Sequence, residues 1–241
     1  MDEVRFHTLL HRPGTLVDIG AHDGLLTLPL AGLPNSHVLA FEPLPSAFVR
    51  LQAACADLTN VTLHQAALGD RTGTATLAMP LLDGVPQEQW ASTAKHYAGF
   101  GERVTQATFS VPLRRLDNEA LSDLTGVKLD AEGAEYEILR GARDTLLRCR
   151  PVLTLEIEER HRAGSTYSVP AYLDALGYDA WFELHGQWHP LSAFDRATMQ
   201  CASSSPAVFK ASDPYVFIFY FLPCEQADAM LSTLKQQQRS P

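Results

Sequence analysis

The chain has 241 residues, of which 46% are hydrophobic and 20% are charged, and this composition excludes a disordered, collagen-like or coiled-coil protein as the overall class. Its 19 lysines and arginines are outnumbered by 28 aspartates and glutamates, so the formal net charge is −9. This acidic balance disfavours nucleic acid and anionic membrane as partners, and it favours a neutral or cationic small molecule.

The first part of the chain alternates buried strands with helices. Strands are predicted at 15–19, 37–41 and 61–67, and helices at 3–11, at 23–33 and from Pro45 onward. A strand–helix–strand order of this kind implies right-handed crossovers and a parallel sheet.

The regular order breaks and then resumes. Alternating strands are predicted at 74–78 and 105–111, followed by a strand at 127–129, a helix at 135–147, a strand at 152–157, a helix at 169–176, a strand at 178–184, a strand at 215–222 and a helix at 225–237. No linker divides two cores, so one domain over 1–241 is predicted. Long irregular segments often form lids or binding loops, so 81–103 and 186–212 are predicted to cover a substrate pocket, with Trp90, Tyr97 and Trp188 in its walls.

The cysteine spacing and the first residues of the sequence indicate in which cellular compartment the protein is expected. The four cysteines form no CxxC pair, which indicates neither a zinc site nor a disulfide framework. The opening MDEVRFHTLLHRPG has no apolar run typical of a signal peptide, and the apolar run at 215–222 is too short to span a bilayer. We therefore expect a cytoplasmic protein with reduced thiols; the sequence does not decide between a monomer and a homo-oligomer.

A glycine turn follows the first predicted strand. Asp18, Gly20, Ala21, His22, Asp23 and Gly24 form the pattern DxGxxxG. Glycine lets the backbone approach a ligand closely, and the helix start beyond it offers free N–H groups. A dinucleotide fingerprint needs GxGxxG, and Asp18 would repel a diphosphate, so a ligand with an ammonium and a sulfonium group is favoured.

An acidic residue ends the second predicted strand. Glu42, followed by Pro43, lies 22 residues after Gly20. Two carboxylate oxygens can accept hydrogen bonds from two ribose hydroxyls, as an acidic residue at this spacing does in nucleoside sites. Glu42 is therefore predicted to bind a nucleoside ribose.

The third motif is KLDAEGAE at 128–135. Strand alternation puts Lys128 and Asp130 on one face, at the carboxyl end of a strand, where open α/β sheets bind ligands. Glu132 and Glu135 follow at a helix start, where they also complement the helix dipole.

These motifs resemble a known family. VDIGAHDG, AFEPLPSAF, AALGDRTG, VKLDAEGAEYEILRGA and PVLTLEIE, in this order, are similar to FkbM-type S-adenosylmethionine-dependent methyltransferases. The resemblance covers roughly residues 14–160. Members commonly have Asn at the position of His22, so a contact made by that side chain is not carried over to this chain.

The resemblance implies a Rossmann-like class I methyltransferase fold: a mostly parallel seven-stranded sheet with an antiparallel last strand and helices on both faces. It implies S-adenosylmethionine as cofactor and O-methylation of a small-molecule hydroxyl on a sugar or natural product. Within the matched motifs, Ala67 and Leu68 are assigned to the cofactor site together with the glycine turn, Glu42 and Pro43.

The catalytic assignment leaves several roles open. Asp130 is the first candidate base and Glu132 the second; if Asp130 holds the ammonium end of the cofactor, Glu132 or His161 takes that role. Lys128 is predicted to orient Asp130 or Glu156, and Glu135 and Glu156 are predicted to face the substrate. Asp130, Glu132, Glu135 and Glu156 offer oxygen ligands for a divalent cation, but helix-start acids are explained without one, so a metal is not favoured. A nucleotide-dependent enzyme such as an NAD(P) dehydrogenase, or a catalytically silent cofactor-binding module, is the alternative.

Overall fold

The fold is built on one large sheet with helices on both faces. In the computed structural model, residues 1–95, 97, 101–200 and 215–238 are described. Within them the strands are β1 (Gly14–Ile19), β2 (Ser36–Phe41), β3 (Val61–His64), β4 (Ala67–Leu68), β5 (Gly73–Leu82), β6 (Val85–Pro86), β7 (Val104–Arg114), β8 (Leu124–Leu129), β9 (Val152–Glu156), β10 (Tyr178–Leu184), β11 (Gln187–Pro190) and β12 (Ile218–Pro223). The helices are α1 (Glu3–Leu9), α2 (Thr27–Ala31), α3 (Pro45–Ala54), α4 (Glu135–Gly141), α5 (Arg143–Cys149), α6 (Ser165–Ala175), α7 (Arg196–Met199) and α8 (Ala227–Gln238).

The main sheet has eight strands in the order β11-β10-β12-β9-β8-β1-β2-β3. The five neighbouring strands β9, β8, β1, β2 and β3 are parallel to one another, whereas β12 runs antiparallel to both β9 and β10. The α/β class, the predominantly parallel sheet and the antiparallel strand near the chain end are therefore confirmed. The eighth strand is β11, which forms a hairpin with β10 at the start of the segment 186–212 that is predicted to be irregular.

Side-chain alternation along the strands sends apolar residues to both faces, as expected of a buried parallel sheet. Val17, Ile19 and Phe41 pack with residues of α4, α5 and α6 on one face. Leu16 and Val38 pack with α2 residues on the other face, where α1 and α8 cover the far end of the sheet.

A second sheet stands apart from the main one. It has the order β4-β7-β5-β6, with β5 and β7 forming a long antiparallel pair. The predicted strand at 61–67 is therefore wrong in its last part, because the chain leaves the main sheet after His64 and pairs Ala67 and Leu68 with β7.

Two predicted helices are shorter than their apolar spacing indicates. The helix predicted at 23–33 covers only Thr27–Ala31, which places Pro29 in the first turn, where its missing N–H is not needed. The helix predicted at 135–147 is divided at Ala142 into α4 and α5. At Gly141 the backbone passes so close to Gly69 that a Cβ would lie 1.9 Å from its carbonyl oxygen. None of the helices in the described ranges is long and apolar enough to cross a membrane.

Candidate cofactor and acceptor site

A cavity of about 350 Å³ opens at the carboxyl ends of β1, β2 and β8. The turn after β1, the residues after β2, the loop after β8 and the segment 88–93 all contribute to its wall. The sequence-predicted residues that line it are Gly20, Ala21, His22, Asp23, Glu42, Pro43, Ala67, Leu68, Lys128, Asp130 and Glu132.

The glycine turn lies directly against the backbone of the neighbouring strand end. Gly20 has a φ of +77°, and a Cβ at this position would lie 1.9 Å from the carbonyl oxygen of Asp130. The amides of Gly20 and Ala21 both donate to the carbonyl of Phe41, at 2.9 and 3.1 Å. Only glycine satisfies this conformation and this close approach, so the turn holds β1, β2 and β8 together at the cavity.

Asp18 does not contact the cavity, so its predicted role as a direct cofactor ligand is wrong. Its side chain is fully buried, accepts a hydrogen bond from the Thr27 hydroxyl at 2.6 Å, and lies 3.4 Å from the Lys128 ammonium. A buried carboxylate needs such partners. Asp18 is thus a positioning residue beneath the turn. Gly24 likewise lies outside the cavity wall, against Leu51.

Lys128 links the buried acid to the turn. Its Nζ donates to the carbonyl of Gly20 at 2.8 Å and lies 4.0 Å from Asp130. Burial lowers the pKa of Lys128, but the carboxylates of Asp18 and Asp130 outweigh that effect, so the pKa is raised and the ammonium stays charged. Its role of orienting Asp130 or Glu156 stays a prediction, and the carboxylate nearer to its Nζ than Asp130 is that of Asp18, at 3.4 Å.

Glu42 is oriented by two backbone amides. Its Oε2 accepts from the N–H of His22 and its Oε1 from the N–H of Leu44, both at 2.8 Å. Burial raises the pKa of Glu42, while these two hydrogen bonds lower it. Each carboxylate oxygen keeps a further lone pair, so the group can accept two more hydrogen bonds from a ligand in the cavity.

Asp130 and Glu132 occupy the side of the cavity formed by the loop after β8. The Asp130 side chain is 34% exposed, and its Oδ1 has no hydrogen-bond partner among the described residues. Glu132, with a φ of +54°, forms an ion pair with Lys95. Burial raises the pKa of Glu132 to about 7, although Lys95 lowers it.

Behind Glu132, the loop after β9 brings in His161 and two further carboxylates. The Nε2 atom of His161 lies 3.2 Å from Glu132 Oε2 and 3.3 Å from Glu158 Oε1. Burial and then Lys95 lower the pKa of His161 to about 3. Burial, and next the charge of Asp130, raise the pKa of Glu156. His161 therefore lies next to Glu132, and its role as an alternative base stays a prediction.

Glu135 is turned away from the cavity, so its predicted contact with substrate is wrong. Its Oε1 accepts from the N–H groups of Ala131 and Gly133, at 3.2 and 2.9 Å. The side chain is buried, and burial raises its pKa to about 7. Glu135 thus closes the loop that carries Glu132, so it is not available to the set of four carboxylates considered for a divalent cation.

The predicted aromatic walls of the acceptor pocket are mostly elsewhere. Trp188 lies in β11 and packs against Phe6 and Tyr220 in the core, so its predicted acceptor contact is wrong. Trp90 is 38% exposed in a short 3₁₀ helix, and the Tyr97 hydroxyl donates to the Trp90 carbonyl. Neither ring lines the cavity.

Sequence reasoning missed two charged residues of the site. Glu3 of α1 lines the cavity and accepts a hydrogen bond from Thr154, while burial raises its pKa. Lys95 reaches Glu132 from the 81–103 insertion. Lys95 could have been suspected because it is the single lysine of that insertion, whereas Glu3 carries no local signal because its place depends on how α1 packs.

Comparison with known proteins finds one family and several relatives that are all methyltransferases by name. The Methyltransferase FkbM domain family matches residues 18–180. The chain is 27% identical over 180 residues to 2-O-methyltransferase NoeI of Sinorhizobium fredii, covering 70% of this chain and 74% of the relative. It is also 27% identical over 202 residues to Methyltransferase sdnD of Sordaria araneosa, covering 73% of this chain and 77% of the relative.

One solved structure has a similar fold. A methyltransferase FkbM from Methylobacillus flagellatus superposes with a TM-score of 0.55 at 19% identity, and the match covers 87% of this chain. This chain spans 43% of the length of that protein. At this identity the likeness concerns the fold alone.

Proposed function

The chain belongs to the FkbM methyltransferase domain family, and from that membership we propose that it transfers a methyl group from S-adenosylmethionine to a hydroxyl of a small molecule such as a sugar or natural product. One observation carries the proposal. Glu42 and the Gly20 turn, 22 residues apart in the sequence, face the same cavity at adjacent strand ends. The 2-O-methyltransferase activity named for one relative supports oxygen as the methyl acceptor.

The cavity suits this cofactor in shape and charge. The turn from Gly20 to Asp23 forms one wall of the cavity, and Glu42 offers two acceptor oxygens for ribose hydroxyls. Ala67 and Leu68 supply an apolar wall for the adenine ring. When bound, the cofactor supplies an electrophilic methyl group on a cationic sulfonium, which an acid-lined cavity accommodates.

Asp130 is the proposed proton acceptor for the hydroxyl. An alcohol is a poor nucleophile while protonated, so a positioned base adds about 10²–10⁴-fold to the rate. The Asp130 carboxylate is partly exposed in the cavity wall, and Lys128 holds its orientation from 4.0 Å. The hydroxyl proton passes to this carboxylate as the oxygen becomes nucleophilic.

The 81–103 insertion is the proposed cover of the acceptor. Its residues Gln89, Ala91, Ser92 and Thr93 line the cavity, and the Ser92 hydroxyl donates to the Glu132 carbonyl at 2.8 Å. This contact ties the insertion to the loop that carries Glu132. The second predicted lid, 186–212, is described only up to residue 200, so its role stays a prediction.

A nucleotide-dependent dehydrogenase is the competing function. The repulsion of a diphosphate by Asp18 is no argument against it, because Asp18 is buried and paired with Lys128. The absence of a third glycine in the turn still favours the methyl donor.

Replacing Glu42 with alanine should weaken the binding of S-adenosylhomocysteine. The loss of hydrogen bonds to a charged acceptor costs about 1.5–3 kcal/mol, which corresponds to about a 10- to 100-fold higher Kd. Isothermal titration calorimetry measures this change directly. Glu102→Ala, at an exposed position, is the control and should keep the original Kd. An unchanged Kd in Glu42→Ala would refute the ribose role.

A further inference from the structure

We propose that Glu132, Glu156 and His161 form a binding site for one divalent cation, which orients the oxygens of the methyl acceptor. The inference rests on the proposed function for its role, while the site itself rests on geometry. Glu132 follows β8, Glu156 ends β9, and His161 lies in the loop after β9. One side-chain ligand atom from each lies within 4.8 Å of the other two.

The chemical types of the three ligands indicate which metal ions they would bind. Two carboxylates and one imidazole combine the oxygen ligands that suit Mg²⁺ and Mn²⁺ with a nitrogen ligand that suits Zn²⁺, Fe²⁺ and related ions. Mn²⁺ accepts both types, so it is the probe of choice. Three protein ligands also leave coordination positions open for oxygens of a bound molecule.

The surroundings of His161 support the site independently of the two carboxylates. Its side chain is only 3% exposed, and neither ring nitrogen makes a hydrogen bond with the described residues. The Nε2 atom nevertheless points between two carboxylates, at 3.2 Å from Glu132 and 3.3 Å from Glu158. Buried ring nitrogens normally have a partner, and a cation shared with Glu132 would supply one.

The carboxylates around the cluster differ in how they are already held, and Glu156 shares a side-chain hydrogen bond with Glu158. Glu158 is held by the Arg160 guanidinium at 2.7 and 2.6 Å and also accepts from the Tyr215 hydroxyl, so its oxygens are occupied. Glu132 is held by the single ammonium of Lys95. A divalent ion would take the place of that ammonium on Glu132.

The place of the site indicates the class of acceptor. Of the three ligands, Glu132 lines the cavity and Glu156 and His161 do not, so an acceptor in the cavity would meet the ion on the Glu132 side. An acceptor with two neighbouring oxygens, such as a vicinal diol, can chelate the ion through both. Such a cation, when bound, would supply Lewis-acid chemistry by lowering the pKa of a coordinated hydroxyl, and Asp130 would still be the proton acceptor.

Titration of the chelator-treated protein with Mn²⁺ tests the site, with free Mn²⁺ followed by electron paramagnetic resonance. We expect one Mn²⁺ per chain with a Kd below about 1 mM, within the range of protein sites for hard cations. Glu156→Gln and His161→Gln should each raise the Kd at least about tenfold. Lys95→Met should lower it, because the competing ammonium is gone.

Matched control variants distinguish this site from unspecific binding of cations to an acidic protein. Glu102→Gln and His185→Gln change the same residue types at exposed positions and should leave the Kd for Mn²⁺ unchanged. The inference is overturned if Mn²⁺, Mg²⁺ and Zn²⁺ all fail to bind saturably, or if Glu156→Gln and His161→Gln bind as the unmodified chain does. Binding of S-adenosylhomocysteine in the same samples reports on the proposed function separately, because the cofactor residues are not altered.

Discussion

Replacing Gly20 with alanine should abolish cofactor binding and destabilise the fold by about 3 kcal/mol or more. The new Cβ would lie 1.9 Å from the carbonyl oxygen of Asp130, and the backbone has a φ of +77°. Relief of this overlap requires β1 and β8 to separate at the cavity. Chemical denaturation and calorimetric titration with S-adenosylhomocysteine measure the two effects.

Gly84→Ala is the matched control for backbone strain. Gly84 has a φ of +81°, but a Cβ there would meet nothing within 4 Å. We expect it to cost only about 1 kcal/mol and to leave cofactor affinity intact. If Gly20→Ala and Gly84→Ala were equally stable and both bound the cofactor, the close approach of the turn to Asp130 would not be needed for cofactor binding.

Replacing Asp130 with asparagine should reduce kcat by about 10²–10⁴-fold while changing the Kd for S-adenosylhomocysteine little. Asparagine keeps the size of the side chain but cannot accept the hydroxyl proton. Transfer of tritium from methyl-labelled S-adenosylmethionine to a panel of sugars and hydroxylated natural products measures turnover. Asp57→Asn, at an exposed position, should behave as the unmodified chain.

The pattern of kcat and Kd distinguishes the two roles left open for Asp130. A base affects kcat at saturating cofactor, whereas a ligand of the cofactor ammonium affects the Kd. A large rise in the Kd with kcat retained at saturation would assign Asp130 to the cofactor and leave proton removal to another group.

The sequence places the Gly20 turn and Glu42 at one edge of the sheet correctly because the determinants of both are local. A strand that ends at a glycine turn, and a second strand that ends at an acidic residue, both point to the same sheet edge once the strands are parallel. Gly20 and Glu42 are found there. The resemblance to the FkbM family and the α/β class are confirmed, whereas the binding of a cofactor by Gly20 and Glu42 stays a prediction.

The same local reasoning fails where burial depends on distant partners. Asp18 follows the motif, but strand alternation turns it toward Thr27 and Lys128 beneath the turn. Glu135 satisfies amides of its own loop. For both residues, a pattern identifies a carboxylate near the cavity edge without showing which way it points.

The acceptor side is the least predictable part. Trp188 joins the core because β11 extends the main sheet, and this pairing has no signal in the spacing of residues 185–189. Glu3 and Lys95 reach the site from α1 and from the 81–103 insertion. Their places follow from packing between segments far apart in the sequence.

Calorimetric titration of the unmodified chain with S-adenosylmethionine and, separately, with NAD⁺ tests the central claim most directly. The cavity formed by the Gly20 turn and Glu42 predicts saturable binding of S-adenosylmethionine at one site per chain and no saturable binding of NAD⁺. Saturable binding of NAD⁺ with none of S-adenosylmethionine would contradict it.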